Sequence, residues 1–194
     1  MDYPIFFDGD FIPKNSFSLS YLSPSFQYGL TPFDTIACIK KAKKIILFRP
    51  FDHISRLINS CTRLGFNIEE TEQDIFNALA HYLDYIKPST SVIVRLMAFS
   101  DTGSWSSKSL NAKIIYSAYI ANNYNYFNPH EGISLSTSAY GVRPPKEVQD
   151  YSIKVGSNYL NARYASIDSF SKGFDGALLL DSCSNVSELG GANI

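Results

Sequence analysis

A chain of 194 residues, 45% hydrophobic and 18% charged, carries enough apolar material for one large domain or two small ones and is not a disordered or fibrous composition. Its formal net charge of −1 excludes an electrostatic draw of the whole chain toward nucleic acid or an anionic membrane. Three scattered cysteines, Cys38, Cys61 and Cys183, form no C-x-x-C pair and read as thiols in a reducing cytosol. The first residues, Met1-Asp2-Tyr3-Pro4, are acidic where a signal peptide is basic, and no apolar run reaches the length of a membrane span. The expectation is a soluble cytoplasmic protein.

Apolar residues 3–7 and 11–12 flank Asp8-Gly9-Asp10, a hairpin signal. Ser23-Pro24-Ser25 reads as a loop. Residues 33–39 and 45–48 read as strands joined by the basic run Lys40-Lys41-Ala42-Lys43-Lys44, a solvated turn. Residues 50–66 read as a helix, with Pro50 in its first turn and Gly65 as its stop. Ile54, Leu57, Ile58, Cys61 and Leu64 recur on one face of it at helical spacing. A second helix spans 72–86, opened by the capping pair Thr71 and Asp74 and ended by Lys87-Pro88. Residues 91–99 and 112–120 read as strands, with a polar loop between them.

The Asn-rich stretch that follows has no clean period and reads as a linker over 122–131. This divides the chain into residues 1–121, a small α+β domain, and 132–194, the start of a second domain. In the latter, 133–137 reads as a strand, Arg143-Pro144-Pro145 as a rigid connector, and 157–172 as a helix stopped by Gly173. Residues 177–180 form an apolar strand, 181–185 turn the chain, and Val186 opens the next strand. Mixed strands with paired helices argue an α+β class. The chain reaches Ile194 just inside an element that reads as unfinished, so a truncated frame or a fragment is expected.

Chemistry concentrates in two segments. Lys154 ends an extended segment, and Gly156, Ser157 and Asn158 then give the chain room to turn into a helix. A lysine held by backbone on both sides is positioned rather than merely solvated. Glu188 is followed by Gly190-Gly191, which lets a ligand approach the backbone. Arg95 interrupts an apolar strand, and a buried arginine needs an anionic partner, either a substrate carboxylate or a structural acid. His53 has no neighbours at metal-ligand spacing, and no metal site is expected.

Four segments together carry a resemblance. They are Tyr28-Gly29-x-x-x-Phe33-Asp34-Thr35-Ile36, Asp52-His53-Ile54-Ser55-Arg56-Leu57, Lys154-Val-Gly-Ser-Asn158-Tyr159-Leu160 and Val186-Ser187-Glu188-x-x-x-x-Asn193-Ile194. In this order the chain resembles the fold type IV aminotransferases, the group of the branched-chain and D-amino-acid aminotransferases and the aminodeoxychorismate lyases. The resemblance implies a two-domain fold, its second domain incomplete here, and pyridoxal 5′-phosphate as cofactor. It implies that Lys154 forms the internal aldimine, a role that needs the neutral amine within reach. It implies that Glu188 faces the pyridine nitrogen, Tyr159 the phenolic oxygen, and Arg56 the phosphate, which suits the planar fork of a guanidinium. Tyr28 and Phe33 correspond to pocket-wall residues, and a homodimer with sites near the interface is implied. Ser182-Cys183-Ser184 lacks the glycine usual in that turn.

The implied reaction is transamination between an amino acid, branched-chain in the first instance, and a 2-oxo acid in a ping-pong cycle. A lyase acting on aminodeoxychorismate, or a non-catalytic remnant serving as a dimerisation partner, are the alternatives.

Overall fold

The computed structural model describes residues 3–120 and 132–194; the linker expected over 122–131 lies outside the described residues. The described part of Met1–Asn123 together with Ile153–Gly156 forms one unit, and the described part of Tyr124–Ser152 together with Ser157–Ile194 forms another. Each is taken by itself. A boundary at 132 assigns the lysine segment to the second domain. Residues 153–156 instead group with the first unit, because their backbone hydrogen bonds run to Thr31, Phe33 and Ser60.

The first unit opens with the hairpin β1 (Ile5–Phe7) and β2 (Asp10–Ile12). Asp8 and Gly9 both take positive φ, 53° and 85°, as a two-residue hairpin turn of matched twist requires. The chain then forms α1 (Pro24–Tyr28), β3 (Phe33–Lys41) and β4 (Lys44–Leu47). Ser23 and its neighbours are not a loop: the Ser23 hydroxyl accepts from Phe26 N at 3.1 Å and caps α1. Next come α2 (Pro50–Arg63), β5 (Phe66–Asn67) and α3 (Glu72–Ile86). α2 ends short of the expected 66 because β5 pairs in parallel with β7 (Leu110–Asn111). Thr71 and Asp74 form the full reciprocal capping box at the start of α3. β6 (Val92–Phe99) and β8 (Lys113–Ile120) complete the unit.

Six strands form one sheet in the order β2-β1-β8-β6-β3-β4, and all its neighbours are antiparallel. Side chains alternate faces along a strand. Ile36, Cys38, Val92, Val94, Leu96 and Ala98 lie on one face and are buried with Ile54, Leu57 and Cys61 of α2 and Ile75, Leu79 and Tyr82 of α3. Each fully buried Leu, Ile or Val contributes about 1.5–3 kcal/mol, so this helix-covered face holds the unit together. Phe33, Thr35, Ile93, Arg95 and Met97 point to the other face and are only half-buried.

The second unit consists of β9 (Leu135–Val142), a turn of 3-10 helix over Gly156–Tyr159, α4 (Leu160–Ser171), β10 (Gly176–Leu180) and β11 (Val186–Leu189). Its sheet order is β11-β10-β9, with β10 parallel to β9 and antiparallel to β11. The β9–α4–β10 crossover is what a parallel pair demands. β9 runs further than the expected 133–137. Its core is small: Ala162, Ala165, Ala177 and Leu179.

Candidate active site

Lys154 lies where the chain runs alongside the start of β3. Its N–H donates to the Ser60 hydroxyl at 3.1 Å, and its carbonyl accepts from Phe33 N at 3.0 Å. Ser60 belongs to α2 and is fully buried. Val155 makes an isolated bridge with Pro32, and Gly156 N donates to Thr31 O at 3.2 Å. The main chain at the lysine is thus bonded on both edges. A Cβ on Gly156 would lie 2.7 Å from the Thr31 hydroxyl, so a larger residue there would force Thr31 to shift.

The Lys154 ammonium sits 5.1 Å from the centroid of the Phe33 ring. The Arg95 guanidinium lies 4.9 Å from the same ring and 5.7 Å from the ring of Tyr119. Strand register explains the grouping. Arg95 pairs with Thr35 across β6 and β3 and with Ser117 across β6 and β8, so Phe33 and Tyr119 stand two residues away on its own face. Arg95 Nε is buried and has no hydrogen-bond partner among the described residues. A buried guanidinium nitrogen without an acceptor is costly, and a carboxylate would remove that cost.

Arg56 is differently placed. Its Nε and Nη2 donate to Asp34 at 2.6 and 2.8 Å, a bidentate pair. Asp34 is fully buried on the helix-covered face of β3, and the Arg56 side chain is 46% exposed. His53 Nδ1 lies 2.9 Å from the same carboxylate. The His-x-x-Arg segment therefore closes on an acid of β3 through one turn of α2. Tyr28 ends α1 with much of its ring exposed.

In the second unit Glu188 projects from β11 and pairs with Arg143, whose side chain is 15% exposed. The Arg143 guanidinium stacks over Tyr151, 3.9 Å from the ring centroid, and its backbone N donates to Leu180 O at 2.7 Å. Tyr151 donates to Gln149, and Gln149 donates to Asn158. Arg143, Tyr151, Ser187, Glu188 and Asn193 line a cleft of about 530 Å³, in the size range of small-ligand sites. Tyr159 is half-buried at the last position of the 3-10 turn, directly before α4. A Cβ on Gly190 would meet Ser166 Oγ at 3.0 Å on α4, whereas the space beside Gly191 is open.

The structure brings Lys154 and Arg95 onto the Phe33 ring, and pairs Arg56 with Asp34 and Glu188 with Arg143. Sequence reading gives no part to Asp34, Ser60, Tyr119, Arg143 or Tyr151 beyond their segments. An acid one residue after Phe33, inside an apolar strand, is the available sign for Asp34.

The family model for class IV amino-transferases matches residues 33–194. The probable branched-chain-amino-acid aminotransferase of Aquifex aeolicus is 24% identical over 200 residues, covering 100% of this chain and 62% of that protein. The branched-chain-amino-acid aminotransferase of Helicobacter pylori is 26% identical over 196 residues, covering 95% and 57%. Among solved structures, the T.th. branched-chain amino acid aminotransferase complexed with N-(5′-phosphopyridoxyl)-L-glutamate superposes with a TM-score of 0.87 at 27% identity, over 98% of this chain and 62% of that one. The branched-chain aminotransferase of Thermoproteus uzoniensis with norvaline matches in fold, with a TM-score of 0.89 at 22% identity over 97% and 63%. The chain spans about three-fifths of the length of the curated relatives it matches. The architecture is the α+β fold type IV expected from the resemblance.

Proposed function

The chain belongs to the class IV aminotransferases, and from that premise we propose that it acts in pyridoxal-phosphate-dependent transamination, passing nitrogen from an amino acid to a 2-oxo acid in a ping-pong cycle. Branched-chain amino acids are the first substrate class, in keeping with the names of its relatives. The lyase and the non-catalytic readings find no support among those names.

The observation that carries the proposal is the lysine whose main chain is bonded to both Phe33 and Ser60, with its amine and the Arg95 guanidinium on one aromatic ring. The residues suit the cofactor's chemistry. A fixed lysine offers an amine for its aldehyde carbon. A cleft of about 530 Å³ holds Glu188. Arg95 carries a buried nitrogen that wants an acceptor.

When bound, pyridoxal phosphate supplies a conjugated ring that withdraws electrons and carries the amino group between the half-reactions. Lys154 would hold it and, once released, would move the substrate's α-proton as general base and acid. Glu188 would set a negative charge against the pyridine nitrogen. Tyr159 would donate to the phenolic oxygen. Arg56, whose Nε and Nη2 are committed to Asp34, would offer the phosphate its other guanidinium N–H groups while Asp34 orients it. Arg95 would take a substrate carboxylate, with Phe33 and Tyr28 as pocket wall. The active form would be a cytoplasmic homodimer, on the family resemblance alone. No helix among the described residues is long and apolar enough to cross a membrane.

The test is covalent trapping. Protein incubated with pyridoxal phosphate and reduced with borohydride should carry the cofactor's mass on the peptide containing Lys154, and K154A should lose it. An adduct spread over surface lysines, or none, would overturn the assignment.

A further inference from the structure

The buried residues of α2 are Ile54, Leu57, Ser60 and Cys61. Ile54, Leu57 and Cys61 pack in the core of the first unit, and Ser60 is the polar exception, fully buried. A hydroxyl in such a place costs stability unless it is hydrogen-bonded, and alanine would fill nearly the same space without that cost. The Ser60 hydroxyl accepts from Lys154 N at 3.1 Å, 94 residues further along the chain. This bond closes a triangle. β3 is tied to the lysine segment by Phe33 N, which donates to Lys154 O at 3.0 Å. β3 is tied to α2 at the next residue, where Asp34 takes two hydrogen bonds from Arg56. α2 is tied to the lysine segment by Ser60, one helical turn after Arg56. The start of β3 is held from β6 as well, since Ala98 N donates to Pro32 O at 2.8 Å. Without the serine hydroxyl the lysine segment loses this bond to α2 and is free to hinge on its β3 edge.

We infer that Ser60 is a positioning residue for Lys154, fixing the lysine's main chain against α2 so that its amine meets the cofactor's aldehyde from one place. This rests on the aminotransferase reading above. Two groups held in the right geometry react as if at very high concentration, and that advantage falls when either is loosely held. A lysine whose main chain hinges spreads its amine over more positions, and fewer of them reach the aldehyde carbon. Ser60 acts here only through Lys154. The same helix carries Arg56 one turn earlier, so the residue proposed for the phosphate and the residue that seats the lysine share one rigid support.

The test reads binding, not turnover. Pyridoxal 5′-phosphate condenses through its aldehyde with the Lys154 amine, releasing water, whereas pyridoxamine 5′-phosphate has no aldehyde and binds without that bond. The affinities of the intact protein for both are measured by absorbance and fluorescence titration, and borohydride reduction with peptide mapping locates the condensation. Ser60→Ala should weaken pyridoxal phosphate about tenfold, the weight of one hydrogen bond, and leave pyridoxamine phosphate within about twofold. Cys61→Ala, a small cavity at the next residue of the same helix, should leave the ratio of the two affinities at its wild-type value. Hydrogen exchange without cofactor should quicken in S60A at the Lys154 amide by at least about tenfold more than at the amides of α2. Should S60A not fold, S60C nearly keeps the volume, offers only a weak sulfur acceptor, and should move the same ratio in the same direction by about threefold. Equal weakening of both ligands in S60A, or an unchanged ratio, would make Ser60 structural only and overturn the inference, while trapping on Lys154 would still stand. A wild type that binds neither ligand would overturn the aminotransferase reading and this inference with it.

Discussion

Removing Arg56 should destabilise the first unit far more than its surface position implies. Asp34 is fully buried and takes two hydrogen bonds from Arg56, at 2.6 and 2.8 Å. Truncating one partner of a buried pair leaves an uncompensated charge, worth about 3–5 kcal/mol. Here His53 Nδ1 at 2.9 Å and Thr35 N at 2.7 Å remain on the carboxylate, which lowers the expectation for Arg56→Ala to about 2–4 kcal/mol. The converse change is milder. In Asp34→Asn the arginine, 46% exposed, turns to water, and the cost is about 1–2 kcal/mol. The double variant should recover most of the R56A loss, a coupling of about 3 kcal/mol. Urea unfolding without added pyridoxal phosphate, followed by circular dichroism with the m-value checked for constancy, measures all three. R56A within about 0.5 kcal/mol of wild type, or D34N costing as much as R56A, would refute the asymmetry and with it the buried-charge account.

Gly156→Ala should cost about 1–3 kcal/mol, because the new methyl would meet the Thr31 hydroxyl at 2.7 Å, and G156A combined with T31A should regain most of it in a thermal melt. Stability should also fall with acid. Hydrogen bonds from Thr71, Ser134 and Asn185 hold the carboxyls of Asp74, Asp175 and Asp181 below the usual range, and Asp168 is held down first by Lys172. Groups depressed in the folded state stabilise it above their unfolded pKa, near 3.9, and that contribution disappears as pH falls through the folded values. Urea midpoints from pH 6 to 3 should therefore decline, and D175N should flatten the decline.

How much of the fold is legible in the sequence depends on how local the cause is. α3 has its expected bounds because a capping box opens it and Lys87-Pro88 closes it, all within the element. The turn at Asp8 and Gly9 is equally plain, since both central residues must take positive φ. The end of α2 escapes a reading of its own residues because β5 forms only by pairing with β7, far along the chain. α1, at five residues, is too short to show a period, and its serine cap passes for a loop. The same holds at the candidate site. An extended lysine segment turning into a helix is visible, but its attachment to Phe33 and Ser60 is tertiary. Arg143 looks like part of a proline connector; its pairing with Glu188 depends on β10 lying between β9 and β11. The roles proposed for the site residues come only from the family resemblance.

The bonding of Lys154 on both edges of its main chain has a mechanical consequence. Such a residue is an anchored post carrying a flexible arm of four methylenes, and only the arm can swing. A shorter or longer amine at this position could not be accommodated by sliding the post, because that would break the bonds to Phe33 and Ser60 together. Reach at position 154 is therefore set by side-chain length alone.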